Sequence, residues 1–239
     1  MKFLKDTHLP DESIGDYVGH GRRNIVSERG VSVLHRRTRE NISEEARRRI
    51  SLAFRAPNNA FGATKLFGEA QMHERLQAAG IPVAHTTYRL DPTEHAVYCT
   101  DLTQGGKNFV LSDTNHTSQD AEWKQLIGEE KESAPNARQA LDALASIAVQ
   151  CASINAELML ADAFYFIVEK KTRNIRVTIG DYKHIVEGQL DPDLLLKNNL
   201  AVARQAAHAR RDVFGLSGDE IEEWFDQKEH EIITAREAA

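Results

Sequence analysis

Two aspartates, Asp162 and Asp181, flank a pair of short β-prone runs in the stretch Leu160 to Ile185, LADAFYFIVEKKTRNIRVTIGDYKHI. The runs are Phe164 to Val168 and Ile175 to Ile179, joined by the polar sequence Glu-Lys-Lys-Thr-Arg-Asn. That connection ends in Asn174, a residue that tolerates turn geometry, so the stretch predicts a β-hairpin. An antiparallel pair sets the start of its first strand beside the end of its second. Asp162 and Asp181 therefore meet at the open end. Paired carboxylates there suit divalent-cation binding and proton acceptance. Taken singly, each aspartate reads first as a cap or turn residue; only the pairing gives them chemistry. His73 and His184 read as packing or surface histidines, because no cluster of ligand-type residues surrounds either in sequence.

A second candidate lies near the start, in Tyr17-Val-Gly-His-Gly-Arg-Arg-Asn-Ile-Val26. Gly19-x-Gly21 sits between two β-prone segments, where a loop backbone can turn its amides toward phosphates or simply reverse direction. Asn24 to Glu28 and Val31 to Thr38 predict a hairpin through Arg29-Gly30. Its second strand, VSVLHRRT, ends in His35, Arg36 and Arg37. Ser43, with acids in the turn after it, predicts a helix start. Ile42, Ala46, Ile50 and Phe54 then follow at helical spacing, and Pro57 closes the segment. Six arginines between Arg36 and Arg49 make this the most basic region of the chain. A solvated helix face and an anion-binding face both remain open.

The elements that must position these residues follow. A helix from about Ala60 to Ala79 is predicted by Ala63, Leu66, Ala70, His73 and Leu76, with Glu69 and Glu74 near its buried side. Gly80 is its C-cap, and Ile81-Pro82-Val83 leads into a strand. Strands around Tyr88 and over Ala96 to Thr100 are joined by Asp91-Pro-Thr-Glu. Asp101-Leu-Thr-Gln-Gly-Gly106 then exits as a glycine-rich connection. A domain boundary is placed near Gly105, giving an arm at 1–16, a β-rich lobe at 17–105 and a helical lobe at 106–239. Helical periodicity covers 119–131, 136–158, 192–213 and 217–237, the last from a Ser217 cap.

The 239 residues suffice for one large domain or two lobes. A net charge of −6 disfavours a general nucleic-acid binder. Cys99 and Cys151 both lie in apolar surroundings and read as buried thiols of a reducing compartment. There is no apolar run of membrane-spanning length, and MKFLKDTHLPDES lacks the apolar centre of a signal peptide. The cytoplasm is the default location, which leaves export without a cleaved signal open.

In this order (glycine loop, hairpin, glutamate-bearing helix, two strands, glycine-rich connection, helices, aspartate-flanked hairpin) the chain resembles the protein-kinase-like fold. The resemblance is to small atypical bacterial kinases related to lipopolysaccharide kinases. It rests on Phe67 to Val83, Val97 to Gly106 and Leu160 to Ile185, and spans roughly Tyr17 to Val186. It implies an α+β, two-lobed architecture: a small antiparallel sheet with one long helix, then a helical C-lobe. It further implies an ATP- and Mg²⁺-dependent phosphotransferase acting on a hydroxyl acceptor. Asp181 would hold the metal, Asp162 would be the base, and Glu69 would orient a cation on the third strand, Arg36 first and Arg37 second. Gly19 and Gly21 would cover the phosphates, and Thr100, Asp101 and Leu102, with Gln104 to Gly106, would line the nucleotide site. Three departures stand out. Leu160-Ala161 replaces the usual pair before the catalytic aspartate. Ile167 occupies the place of a metal-binding asparagine, and no lysine stands on VSVLHRRT. The same fold used as a pseudokinase, a nucleotide-responsive or protein-binding module, is the alternative these departures imply.

Overall fold

His95–Cys99 is the strand on which the first half of the fold is assembled. It pairs antiparallel along its whole length with Leu52–Ala56 on one side and Thr86–Leu90 on the other. In chain order these strands are β1 (Tyr17–His20), β2 (Ile25–Ser27), β3 (Leu52–Ala56), β4 (Thr86–Leu90) and β5 (His95–Cys99). They form one sheet in the order β1-β2-β3-β5-β4. Helix α1 (Ala60–Ala78) is inserted between β3 and β4. The computed structural model describes residues 17–20, 25–27, 52–56, 60–84, 86–90, 95–99, 102, 104, 107–112, 118–127 and 133–237.

Two sequence expectations are corrected here. Leu52–Ala56 is a strand rather than the end of a helix running to Phe54. Only Phe54 of the proposed helical stripe lies in that segment; five cross-strand partners on β5 outweigh a periodicity sampled four residues at a time. The neighbours of β2 are β1 and β3, so the place beside it that VSVLHRRT was given belongs to LAFRA. Residues 31–38 themselves, and the Ser43 helix start, lie outside the described residues.

The chain divides into two compact units, residues 1–75 with 83–108, and 76–82 with 109–239. In the second, β6 (Asn108–Leu111) joins β8 (Phe164–Glu169) and β9 (Ile175–Ile179) in a three-stranded sheet ordered β6-β8-β9. A two-stranded pair forms from β7 (Ala156–Leu158) and β10 (Ile185–Glu187). The helices are α2 (Ser118–Ile127), α3 (Ala137–Ser153), α4 (Pro192–Ala209), α5 (Arg211–Phe214) and α6 (Gly218–Glu237). The core runs between α3 and α4, where Leu141, Leu144, Ile147 and Ala148 are buried, as are Leu196, Leu200 and Ala203. Phe166 meets Phe214 edge to face, with ring centroids 5.5 Å apart.

The helix expected over 136–158 stops at Ser153. Asn155 takes a left-handed φ of 55°, which ends the helix and turns the chain into β7. The helix expected over 192–213 is likewise interrupted, at Arg210, before the single turn of α5. Strands β6, β7 and β10 stand in a region read from sequence as helical apart from the hairpin. They are three or four residues long, too short for period-two alternation to register.

Asn199 on α4 holds β7 in place. Its side-chain oxygen accepts from the Leu158 N–H at 2.9 Å, and its amide donates to the Ala156 carbonyl at 2.9 Å and the Ala148 carbonyl at 3.3 Å. The residue is fully buried. At Ser217 the expected cap is a capping box: the Glu220 N–H donates to Ser217 Oγ, and the Ser217 N–H donates to the Glu220 carboxylate. The hydrogen bond from the Ser217 backbone, with that from its hydroxyl, lowers the Glu220 pKa. Because the folded value is the lower one, the cap's support is present above the ordinary glutamate range. It is lost as pH falls through the folded value.

Asn199→Ala orphans three buried backbone groups, so it should cost at least about 3 kcal/mol, read as a fall in denaturation midpoint. Burial pushes the Cys151 thiol up to about 12. At pH 8 Cys151 should therefore resist iodoacetamide in the native protein and react only after denaturation, as mass spectrometry would record.

Candidate active site

Asp162 sits in a single 3₁₀ turn, Ala161–Ala163, immediately before β8. Asp181 follows β9 and Gly180, and a second 3₁₀ turn, Tyr182–His184, leads into β10. The register of β8 and β9 sets Phe164 opposite Ile179, so both turns lie at one end of the hairpin. Past that end, one carbonyl ties them together. Ala163 C=O accepts from the Gly180 N–H at 2.9 Å and from the Asp181 N–H at 3.4 Å. On the far side of the two turns, β7 and β10 pair with Leu158 opposite Ile185. The Met159 N–H donates to the His184 carbonyl at 2.8 Å. The chain entering Asp162 and the chain leaving His184 are thus paired as well.

The result is a cluster of three. One donor atom each from Asp162, Asp181 and His184 lies within 4.8 Å of the others. His184 Nε2 is 3.5 Å from Asp162 Oδ2 and 3.8 Å from Asp181 Oδ2. All three side chains are half-buried, at 17–18% exposure, open enough to exchange with solvent and sheltered enough to feel one another's charge. Such a group can hold a divalent cation and leave a carboxylate oxygen to accept a proton. Two hard carboxylate donors suit Mg²⁺; an added imidazole suits first-row transition ions better.

The hairpin itself is fixed at both ends. At its closed end Arg173, rather than Asn174, takes the left-handed conformation, with φ of 59°. The Arg173 N–H donates to the Glu169 carbonyl, and the Glu169 N–H to the Asn174 carbonyl. Along the outer edge of β9, the Asn136 side chain imitates a neighbouring strand. It donates to the Ile175 carbonyl and accepts from the Ile175 N–H, both at 2.8 Å. At the open end, a Cβ on Gly180 would stand 2.1 Å from the Tyr165 ring. Only glycine fits there.

The remaining sequence candidates stand on other elements. Glu69 is half-buried on α1, beside the buried Ala70, Met72 and His73. Gly19 stands in β1 opposite Val26, next to a bulge, rather than in an open loop. Leu102 is buried, and its carbonyl accepts from the Asn108 side chain at 2.9 Å. Gly21, Arg36, Arg37, Thr100 and Asp101 lie outside the described residues. Two residues escaped the sequence reading. Arg55 is the arginine of the observed third strand, opposite Ala96, and was hidden by the helical reading of its segment. His184 reads in sequence as a packing or surface histidine, and the spacing Asp181-x-x-His184 is the signal that marks it.

A five-stranded antiparallel sheet with one helix between its third and fourth strands, and a largely helical unit carrying an aspartate-flanked hairpin, make an α+β fold. Among solved structures the chain is similar to WaaP in complex with acyl carrier protein, with a TM-score of 0.41 and 14% identity, over 92% of this chain and 90% of that one. It is also similar to the Helicobacter pylori proinflammatory kinase CtkA, with a TM-score of 0.35 and 13% identity. That match covers 85% of this chain and 63% of CtkA, less than two thirds of its length. No family model and no curated protein matches.

Gly180→Ala should force Tyr165 or the β9 backbone aside and destabilise the protein by about 1–3 kcal/mol. Tyr165→Ala in the same chain should relieve the clash, so the double variant should fall short of the sum of the single losses. Thermal denaturation of the three variants measures this.

Proposed function

We propose that the protein is an atypical ATP- and Mg²⁺-dependent phosphotransferase that moves a γ-phosphoryl group to a hydroxyl acceptor. The observation that carries this reading is the convergence of Asp162 and Asp181 at the open end of the β8–β9 hairpin. In-line phosphoryl transfer asks little covalent chemistry of a protein; it needs positioning, charge neutralisation and an acceptor for the hydroxyl proton. Asp181, with Asp162 within reach, fits a hard divalent cation; bound there, the cation would offset charge on the phosphate oxygens. Asp162 is the base that takes the acceptor's proton.

The other roles follow the kinase-like order. Glu69 orients a cation, Arg36 or Arg37 in the sequence reading, with Arg55 on β3 as a further candidate. Arginine at such a position can grip phosphate, although its planar fork differs from a lysine point charge. Gly19 and Gly21 cover the phosphates, and Thr100, Asp101 and Leu102 border the nucleotide. The division into a lobe at 17–105 and a lobe at 106–239 belongs to this reading, as does action in the cytoplasm, where ATP is supplied. Among the described residues no helix is long and apolar enough to cross a membrane.

A pseudokinase is the second reading, favoured by one observation. Ile167, five positions after Asp162, is buried in β8 and carries no ligand atom. The two readings separate in solution. Under the first, ATP with Mg²⁺ should raise the melting temperature more than ATP alone, because a ligand that binds only the native state stabilises it. Asp181→Asn should abolish the Mg²⁺-dependent part and all turnover. Asp162→Asn should retain nucleotide binding while slowing transfer by about 10²–10⁴-fold. ATP binding without turnover across a broad acceptor panel selects the pseudokinase.

A further inference from the structure

The donor set at the hairpin end does not match a pure magnesium site. Its three members include an imidazole, whose Nε2 lies 3.5 Å and 3.8 Å from the two carboxylate oxygens. Donors sharing one ion at about 2.0–2.2 Å stand roughly 3–3.6 Å apart, so the observed separations need only a small inward adjustment. Nothing further must be moved into place, because the backbone already holds His184. Its N–H donates to the Asp181 carbonyl at 3.4 Å, and its own carbonyl is held by Met159. The 3₁₀ turn contributes too: with three residues per turn, positions 181 and 184 are eclipsed on one side.

We propose that His184 is a third metal ligand, which makes this site selective for first-row divalent ions such as Mn²⁺ over Mg²⁺. The proposal rests on the reading of Asp181 as a metal ligand. It adds the donor that Ile167 cannot provide, from a residue type that changes the ion. Mg²⁺ takes oxygen donors and sheds its waters reluctantly, so an imidazole adds little to its affinity. Mn²⁺ and the later ions accept imidazole nitrogen readily, and affinity rises along that series for mixed nitrogen and oxygen sites.

The test uses the full chain and Mn²⁺ alone, with no nucleotide. Continuous-wave electron paramagnetic resonance counts free against bound Mn²⁺, and pulsed measurement detects nitrogen coordinated to the bound ion. The unmodified protein should bind one Mn²⁺ with ¹⁴N coupling, and Mg²⁺ should compete only at much higher concentration. His184→Ala and His184→Asn should each lose the coupling and weaken Mn²⁺ by at least about tenfold, a loss that even outer-shell partners of a ligand can produce. Mg²⁺ affinity, read by competition, should change far less. Asp181→Asn should abolish binding of both ions. The two His184 variants differ in bulk and polarity, and unchanged far-ultraviolet circular dichroism in either keeps the comparison valid. Bound Mn²⁺ without nitrogen coupling in the unmodified protein would overturn the proposal. So would retention of coupling in both variants, or no Mn²⁺ binding at millimolar concentration. Phosphotransfer is assayed separately with Mg²⁺ and ATP, so failure of the histidine assignment leaves that reading to its own result.

Discussion

Two carboxylates held within 4.8 Å of each other, at about one-fifth exposure, are the constraint on which the rest of the second unit depends. Nothing in the local sequence would bring them together unaided. The pairing of β8 with β9 does so, and the Ala163 carbonyl fastens the two ends by accepting from Gly180 and Asp181. His184 lies beside both carboxylates.

The surrounding structure can be understood as support for that juxtaposition. Two antiparallel pairings clamp the site from opposite sides, β8 with β9 on one and β7 with β10 on the other. Each has its own side-chain fastening. Asn136 lends β9 an imitation of a further strand, and Asn199 satisfies three backbone groups around β7 from within α4. Both fastenings are side-chain amides, which can donate and accept at once and so replace a missing strand neighbour. The apolar packing of α3 against α4 then anchors Asn199. Long-range burial is thus transmitted through a few hydrogen bonds to a pair of turns.

The hairpin was legible in sequence because its signals are local: β-prone runs, a polar turn and an aspartate at either open end. The long helix before β4 was legible for the same reason, with apolar residues at helical spacing and Gly80 as its stop. What failed was non-local. Leu52–Ala56 is a strand because β5 pairs with it, and β5 lies some forty residues further on. The helical reading of Ile42 to Phe54 followed from that missing partner. Strands β7 and β10 are three residues each, too short to show a period. Missing them meant missing the second clamp, and hence the reason His184 turns toward the aspartates. The site was read as a pair because only one of its two pairings is visible in the sequence.

The most direct measurement is a crystal of the full chain grown with Mn²⁺ and a non-hydrolysable ATP analogue, recorded where Mn²⁺ scatters anomalously. The central claim is that Asp162 and Asp181 converge on one divalent ion at the phosphates. It predicts an anomalous peak within coordination distance of Asp181 and Asp162, with a γ-phosphate oxygen on the same ion. A nucleotide bound elsewhere, or the three side chains closed on one another with no peak among them, would contradict it.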